Sequence, residues 1–300
     1  MRFSVWPAPT QPFADVLEIA RHAEATGWDG LWLADHFMPD GESTRVAWPE
    51  VWTTLAALAP AVPRIRIGPL VTGNTYRHPA VLAKMAATVD HLSGGRLVLG
   101  LGAGWQENEH RQYGIPFYTV RERLERLAEA CELIKSLFAS ESTTFRGKHY
   151  HLEGAVLEPK PVQKPLPLMI GGGGEKVTLR IAARFADEWN VWGDVARLRH
   201  KMALLDGYCA EIGRPPRAVQ RSAVALLFLS DDRAFLDKLR SRPNERPTII
   251  GDAAEVREIV RAYRDAGVDE LIVPDFTLGP RAQKLATLDR FMHEVAAKLA

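Results

Sequence analysis

Eight short apolar runs alternate with longer amphipathic ones along this chain. The short runs fall at residues 3–6, 31–34, 65–72, 97–101, 168–170, 188–192, 223–229 and 270–273. Each is continuous and apolar where a strand covered on both faces needs to be. The longer runs have helical spacing. In residues 13–26, Val16, Leu17, Ile19, Ala20 and Ala23 line one face, and Gly27 supplies a stop. Further helices are expected over 49–61, 79–92, 120–138, 176–185, 196–212, 253–266 and 281–299. A strand–helix unit repeated eight times favours a closed parallel barrel over an open doubly wound sheet. The expected fold is α/β, a single (β/α)₈ TIM barrel.

The rhythm pauses once, between the fourth and fifth strands. Residues 105–167 hold a long helix and then a small hairpin over 143–152, with Gly147 at its turn. Pro159, Pro161, Pro165 and Pro167 stiffen the return. This stretch reads as an insertion on the barrel, so residues 1–300 are expected to form one domain. The length agrees, since barrels routinely run to about 250 residues or more as one unit.

Charge narrows the partners. The net charge is +1, and no run of five like charges occurs. No whole-molecule field draws in nucleic acid or a membrane surface, so any anion preference must be local. No stretch of about 18 apolar residues is present, and MRFSVWPAPTQPF does not read as a signal peptide. Cys131 and Cys209 sit in helical segments without CxxC partners and read as buried reduced thiols, which makes a cytoplasmic setting the expectation. His149 and His151 would share a strand face, but no third ligand accompanies them, and no metal site is expected.

In a barrel of this kind, chemistry belongs just past the carboxyl ends of the strands. Asp35-His36 follows the second strand. Histidine titrates near neutrality and suits proton transfer. The plain alternative is a solvated loop histidine beside a helix-capping aspartate. Thr72-Gly73-Asn74-Thr75 ends the third strand, and Gly102 to Glu109 ends the fourth, where glycines would clear space for a ring system. Gly171, Gly172, Gly173 and Gly174 precede Glu175-Lys176 after the fifth strand. Glycines let the backbone approach an anion, and the following helix presents free N–H groups, so a phosphate is the natural guest. The alternative is a flexible turn. The loop is not a P-loop, because the Gly-Lys-Ser/Thr ending is missing.

Four stretches carry a resemblance: AEATGWDGLWLADHF (23–37), IGPLVTGNTYRHPAVLAKMAATVDHLSGGRLVLGLGAGWQENEHRQYGIPF (67–117), PLPLMIGGGGEKVTLRIAARFADEWN (165–190) and IIGDAAEVREIVRAYRDAGVDELIVP (249–274). Together they resemble the luciferase-like superfamily over nearly the whole chain, in particular the branch that uses the deazaflavin coenzyme F420. A sibling branch using FMN shares most of these motifs. The resemblance implies a ring held at the strand ends, with Asp35 and His36 beside it and His36 as the proton-transfer residue. It implies that Thr72 lines the ring pocket, that Asn108 and Glu109 contact the ring or its ribityl chain, with Glu109 a second catalytic candidate, and that Gly172, Gly173, Gly174 and Glu175 hold the phosphate. Asn190 matches the family's asparagine at the end of the sixth strand. A non-prolyl cis peptide near Leu70-Val71-Thr72 and a homodimer are also implied. Arg45, Arg77 and Lys176 are candidates for a basic exit to the coenzyme's oligoglutamyl tail.

One departure bears on substrate. Sugar-phosphate and secondary-alcohol dehydrogenases of the deazaflavin branch carry Trp four residues after the active-site His, and here that position is Asp40. Trp48 or Trp105 would have to fill the space, and no Lys/Arg cluster matches a sugar-phosphate pocket. The expected activity is hydride transfer between coenzyme F420 and a small organic substrate. An FMN-dependent monooxygenase fed by a separate reductase is the alternative enzyme, and a flavin-binding barrel without turnover is the non-catalytic one.

Overall fold

A computed structural model describes residues 1–41, 44–242 and 244–299. In chain order the barrel begins with β1 (Arg2–Trp6), α1 (Phe13–Ala25), β2 (Gly30–Leu33), α2 (Val51–Ala61), β3 (Arg66–Pro69), β4 (Thr72–Gly73), α3 (Pro79–Ser93) and β5 (Leu99–Gly102). Next come α4 (Glu107–Tyr113), α5 (Val120–Ala139) and the hairpin β6 (Thr143–Arg146) and β7 (His151–Ala155). The barrel resumes with β8 (Leu168–Gly171), α6 (Thr178–Phe185), β9 (Glu188–Trp192), α7 (Val195–Glu211) and β10 (Gln220–Val224). It finishes with β11 (Leu226–Leu229), α8 (Arg233–Arg240), β12 (Thr248–Gly251), α9 (Ala253–Asp265), β13 (Glu270–Pro274) and α10 (Arg281–Arg290).

The main sheet runs β3-β2-β1-β13-β10-β9-β8-β5-β4, and its pairings are parallel. Strands β3 and β4 are two halves of one crossing, joined through the cis Leu70–Val71 peptide. A bridge from Ile67 to Leu97, with Val98 N–H donating to Ile67 O at 2.9 Å, closes the ring. The expected eight-fold barrel is therefore present, and the cis peptide lies where the resemblance implied.

Three details differ from the sequence reading. The seventh apolar run divides at Ala225: β10 stays in the barrel, whereas β11 leaves it to pair with β12. An unbroken apolar run carries no mark of the point where a strand changes sheets. The helix expected inside an insertion, α5, packs against α3 and α6 and so stands in the ring of crossover helices. What exceeds a plain crossover is α4 and the hairpin. Thirdly, the glycines ending β5 make room for protein. A Cβ on Gly100 would lie 2.9 Å from Val71 Cγ1 and one on Gly102 2.9 Å from Val71 Cγ2, and one on Gly171, which ends β8, would lie 2.7 Å from Val71 Cγ2.

The core has two shells. Leu31, Ile67, Leu99, Ile170, Ala223 and Leu271 face the helices. Trp32, Leu70, Val98, Met169, Val224 and Ile272 fill the lumen. At the amino ends of the strands the lumen is closed by ions. Arg66 donates to Glu270 Oε2 at 2.8 Å and pairs with Glu188. Glu270 Oε1 accepts from Ser4 Oγ at 2.6 Å and from Trp32 Nε1 at 2.9 Å. Among the described residues, no helix is long and apolar enough to cross a membrane. Cys131 and Cys209 are buried and unbridged, in α5 and α7.

Candidate active site

At the carboxyl end of β2 the chain continues as Asp35-His36-Phe37. Above it, Gly104 turns at a φ of +81° and leads into α4, which brings Glu109 over the loop. The Glu109 side chain is fully buried. Its Oε1 meets His36 Nδ1 at 2.8 Å, and its Oε2 accepts from Phe37 N at 2.7 Å. The Tyr76 hydroxyl donates to the same Oε1. Burial pushes the Glu109 carboxyl up, but the bonds from His36, Phe37 N–H and Tyr76 outweigh it and hold the group below its ordinary value. Burial first, then Glu109, pushes the Tyr76 phenol far above its ordinary value, so it stays a donor.

A carboxylate only accepts, so the proton at this contact belongs on Nδ1. That leaves Nε2 as the nitrogen free to take or give a proton. Three aromatic rings meet the imidazole edge-on, Trp105 at 5.4 Å, Trp48 at 6.4 Å and Tyr76 at 6.4 Å between centroids. Both tryptophans considered for the space opposite Asp40 thus reach His36.

Asp35 faces the other way and is fully buried. Arg77 donates to it through two nitrogens, at 2.6 and 3.2 Å, and to Glu50 at 2.6 Å. Burial lifts the Asp35 carboxyl against the pull of that guanidinium. Thr72 lies between this pair and Trp52, whose indole N–H donates to Thr72 Oγ1 at 3.0 Å. Asp35 and Thr72 thus lock the β2 and β4 ends together. Arg77, spent on two carboxylates, is no exit for an anionic tail. Asn108 is occupied by backbone, donating to Pro39 O at 2.9 Å and accepting from Glu109 N at 2.8 Å.

The glycine loop after β8 is built from behind. Gly172 has a φ of +129°, in the region that favours glycine, and its N–H donates to Asn190 O at 2.9 Å. The next three carbonyls each have a donor. Gly172 O accepts from Trp189 Nε1 at 2.8 Å, Gly173 O from Lys201 Nζ at 2.6 Å, and Gly174 O from Leu179 N at 3.0 Å. In a trans peptide the N–H points opposite to the carbonyl. The N–H groups of Gly173, Gly174 and Glu175 are therefore turned outward, and among the described residues none has a protein acceptor. Three successive N–H groups without a protein acceptor are the kind of donor set that an anion nest requires. Asn190 thus supports the loop through its backbone carbonyl, while its side chain turns to β10 and donates to Ser222 Oγ at 2.8 Å.

Tyr76, Trp189 and Lys201 were not singled out from the sequence. Tyr76 sits three residues past the glycine that ends β4, a position the rule about strand ends covers. Lys201 lies mid-helix, and nothing in its spacing separates it from a solvated lysine. At the barrel mouth, Trp6 packs against Trp192 and Phe276 at 5.7 and 5.1 Å, and Arg246 lies 4.8 Å over Trp192.

Fold and site together give a parallel (β/α)₈ barrel whose rim at the strands' carboxyl ends carries a hydrogen-bonded His36–Glu109 pair and three unpaired backbone N–H groups. The family model for luciferase-like monooxygenase matches residues 1–242. The chain belongs to that family. It is 37% identical over 175 residues to an F420-dependent glucose-6-phosphate dehydrogenase of Amycolatopsis mediterranei, a match covering 58% of this chain and 51% of that protein. The match thus spans about half the length of that relative. A protein of the same name from Intrasporangium calvum is 33% identical over 329 residues, covering 97% of this chain and 96% of its own. Among solved structures, an F420-dependent secondary alcohol dehydrogenase in complex with an F420-acetone adduct superposes with a TM-score of 0.86 at 20% identity, over 100% of this chain and 99% of that one. That likeness is one of fold.

Proposed function

We propose that this chain is an oxidoreductase that moves a hydride between coenzyme F420 and a small organic substrate, with His36 exchanging the accompanying proton. The observation that carries the reading is the His36–Glu109 contact at 2.8 Å on the barrel rim, which fixes the imidazole with Nε2 free. The names of the relatives, F420-dependent dehydrogenases, support the choice of coenzyme.

The residues fit a phosphorylated planar coenzyme. The outward N–H groups of Gly173, Gly174 and Glu175 would hold its phosphate, and the indole N–H of Trp6, buried without a partner, sits at the mouth where a ring would lie. Bound there, a deazaflavin supplies a two-electron hydride carrier that reacts poorly with dioxygen. The chain supplies position and proton. Glu109 keeps Nδ1 protonated, stabilises the imidazolium and prevents ring rotation. Trp48 and Trp105 pack edge-on against its flank. The Asp35–Arg77 pair fixes the segment from beneath without touching Nε2. Thr72 belongs to that support.

The working form is proposed to be a cytoplasmic homodimer of single-domain chains. Exposed Val81 and Leu92 on α3, beside Val162 of the connector, offer apolar surface to a second copy. The coenzyme assignment is tested by titrating the purified apo protein with F420 and with FMN. Tighter binding of F420 is expected. A clear preference for FMN would move the assignment to a reductase-fed monooxygenase, and no binding of either would refute both.

A further inference from the structure

Lys201 is the most unusual basic residue of the rim. It stands on α7, and only 7% of its side chain is exposed. Burying an ammonium is costly unless it is fully bonded. Lys201 has two acceptors, Gly173 O at 2.6 Å and Glu175 Oε1 at 2.9 Å. Its stem runs beneath the loop, with Cε 3.2 Å from where a Gly173 Cβ would be. His200 approaches the same carboxylate oxygen at 3.3 Å, and Glu175 is held below its ordinary value mainly by its bond to Lys201. Of the three donors behind the loop, Trp189 and Leu179 are neutral and Lys201 alone is charged.

We infer that Lys201 is a positioning residue for phosphate affinity, acting on a bound phosphate through the peptide joining Gly173 and Gly174. By holding Gly173 O, it turns the Gly174 N–H toward the nest and polarises that peptide. Its charge lies behind the nest and adds to the field that three backbone N–H groups supply in front. Glu175 partly neutralises that charge, so the Glu175–Lys201 bond sets the affinity of the nest. No phosphate contact by Nζ itself is required.

The inference rests on the reading of residues 172–175 as a phosphate cradle, and the test separates the two. The probes are 5-deazaFMN and 5-deazariboflavin, which share ring and ribityl chain and differ only by the phosphate. Binding to the full-length apo protein is followed by fluorescence. The wild type is expected to prefer the phosphorylated probe. No preference there would overturn the cradle itself. Lys201→Met is expected to weaken the phosphorylated probe about tenfold, through the lost charge and polarisation behind the Gly173–Gly174 peptide, and to leave the other probe unchanged. Equal weakening of both probes, or of neither, would overturn the inference. Should Lys201→Met fail to fold, Glu175→Gln decides in its place. It frees the Lys201 charge, and tighter binding of the phosphorylated probe alone is expected. Unchanged or weaker binding would count against a role for that charge.

Discussion

His36 has a fixed proton inventory because three partners converge on Glu109. The bonds from His36 and the Tyr76 hydroxyl fill Oε1, and the Phe37 N–H holds Oε2, so the carboxylate is fixed by three donors. His36→Ala is expected to leave the dissociation constant for F420 largely intact and to lower kcat and kcat/KM together by about 10²–10⁴-fold. Steady-state kinetics beside a binding titration check this, and normal turnover per folded molecule would remove His36 from the chemistry. Glu109 also links the site to stability. Its carboxyl is held below the ordinary range, so its contribution is present above the unfolded pKa and is lost as pH falls through the lower folded one. The stability gap between wild type and Glu109→Gln, from denaturant midpoints, should therefore narrow as pH drops below about 4. A gap independent of pH would mean that Glu109 is not charged in the fold.

Periodicity located the strand ends and so pointed to His36 directly, whereas Glu109 entered as a catalytic candidate through the family resemblance. Neither showed that they touch. Helix α4 reads ENEHRQY, and its two buried residues, Glu109 and His110, are polar, so no apolar spacing betrays the turn that folds Glu109 over β2. Asp35 was expected beside a bound ring, whereas the structure buries it against Arg77, a residue the sequence offered only as a basic exit.

At the scale of elements, the glycines of the rim divide into two kinds. Gly172, Gly173 and Gly174 shape the nest, and a Cβ on Gly174 would lie 2.6 Å from Thr178 Oγ1, inside the protein rather than in the anion's space. Gly102 and Gly171 instead admit Val71. Gly102→Ala should destabilise by about 1–3 kcal/mol through overpacking. Combined with Val71→Ala, most of that penalty should vanish, as in any pair sharing one contact. A penalty unchanged in the double mutant would show that Val71 is not what Gly102 accommodates. Elements hidden from sequence were short or charged. Helix α8, RAFLDKLR, buries Leu236 alone, and β12 has four residues.

For the whole molecule, the barrel separates stability from chemistry along its axis. The Arg66, Glu188 and Glu270 cluster closes one end, and the dyad and nest occupy the other. Arg66→Met leaves two buried carboxylates short of a partner and should cost about 3–5 kcal/mol in chemical denaturation, with F420 affinity unchanged. Weakened binding in that variant would mean the two ends are coupled.

The proposed chemistry requires an imidazole whose Nδ1 is held by Glu109 and whose Nε2 would face the coenzyme. Nitrogen-15 NMR of the histidine side chains, with His36 assigned through His36→Ala, reads both atoms at once. The account expects a proton on Nδ1 of His36 in the apo protein, and a change at Nε2 when F420 is added. A proton on Nε2 alone, or a His36 signal indifferent to saturating F420, would contradict it.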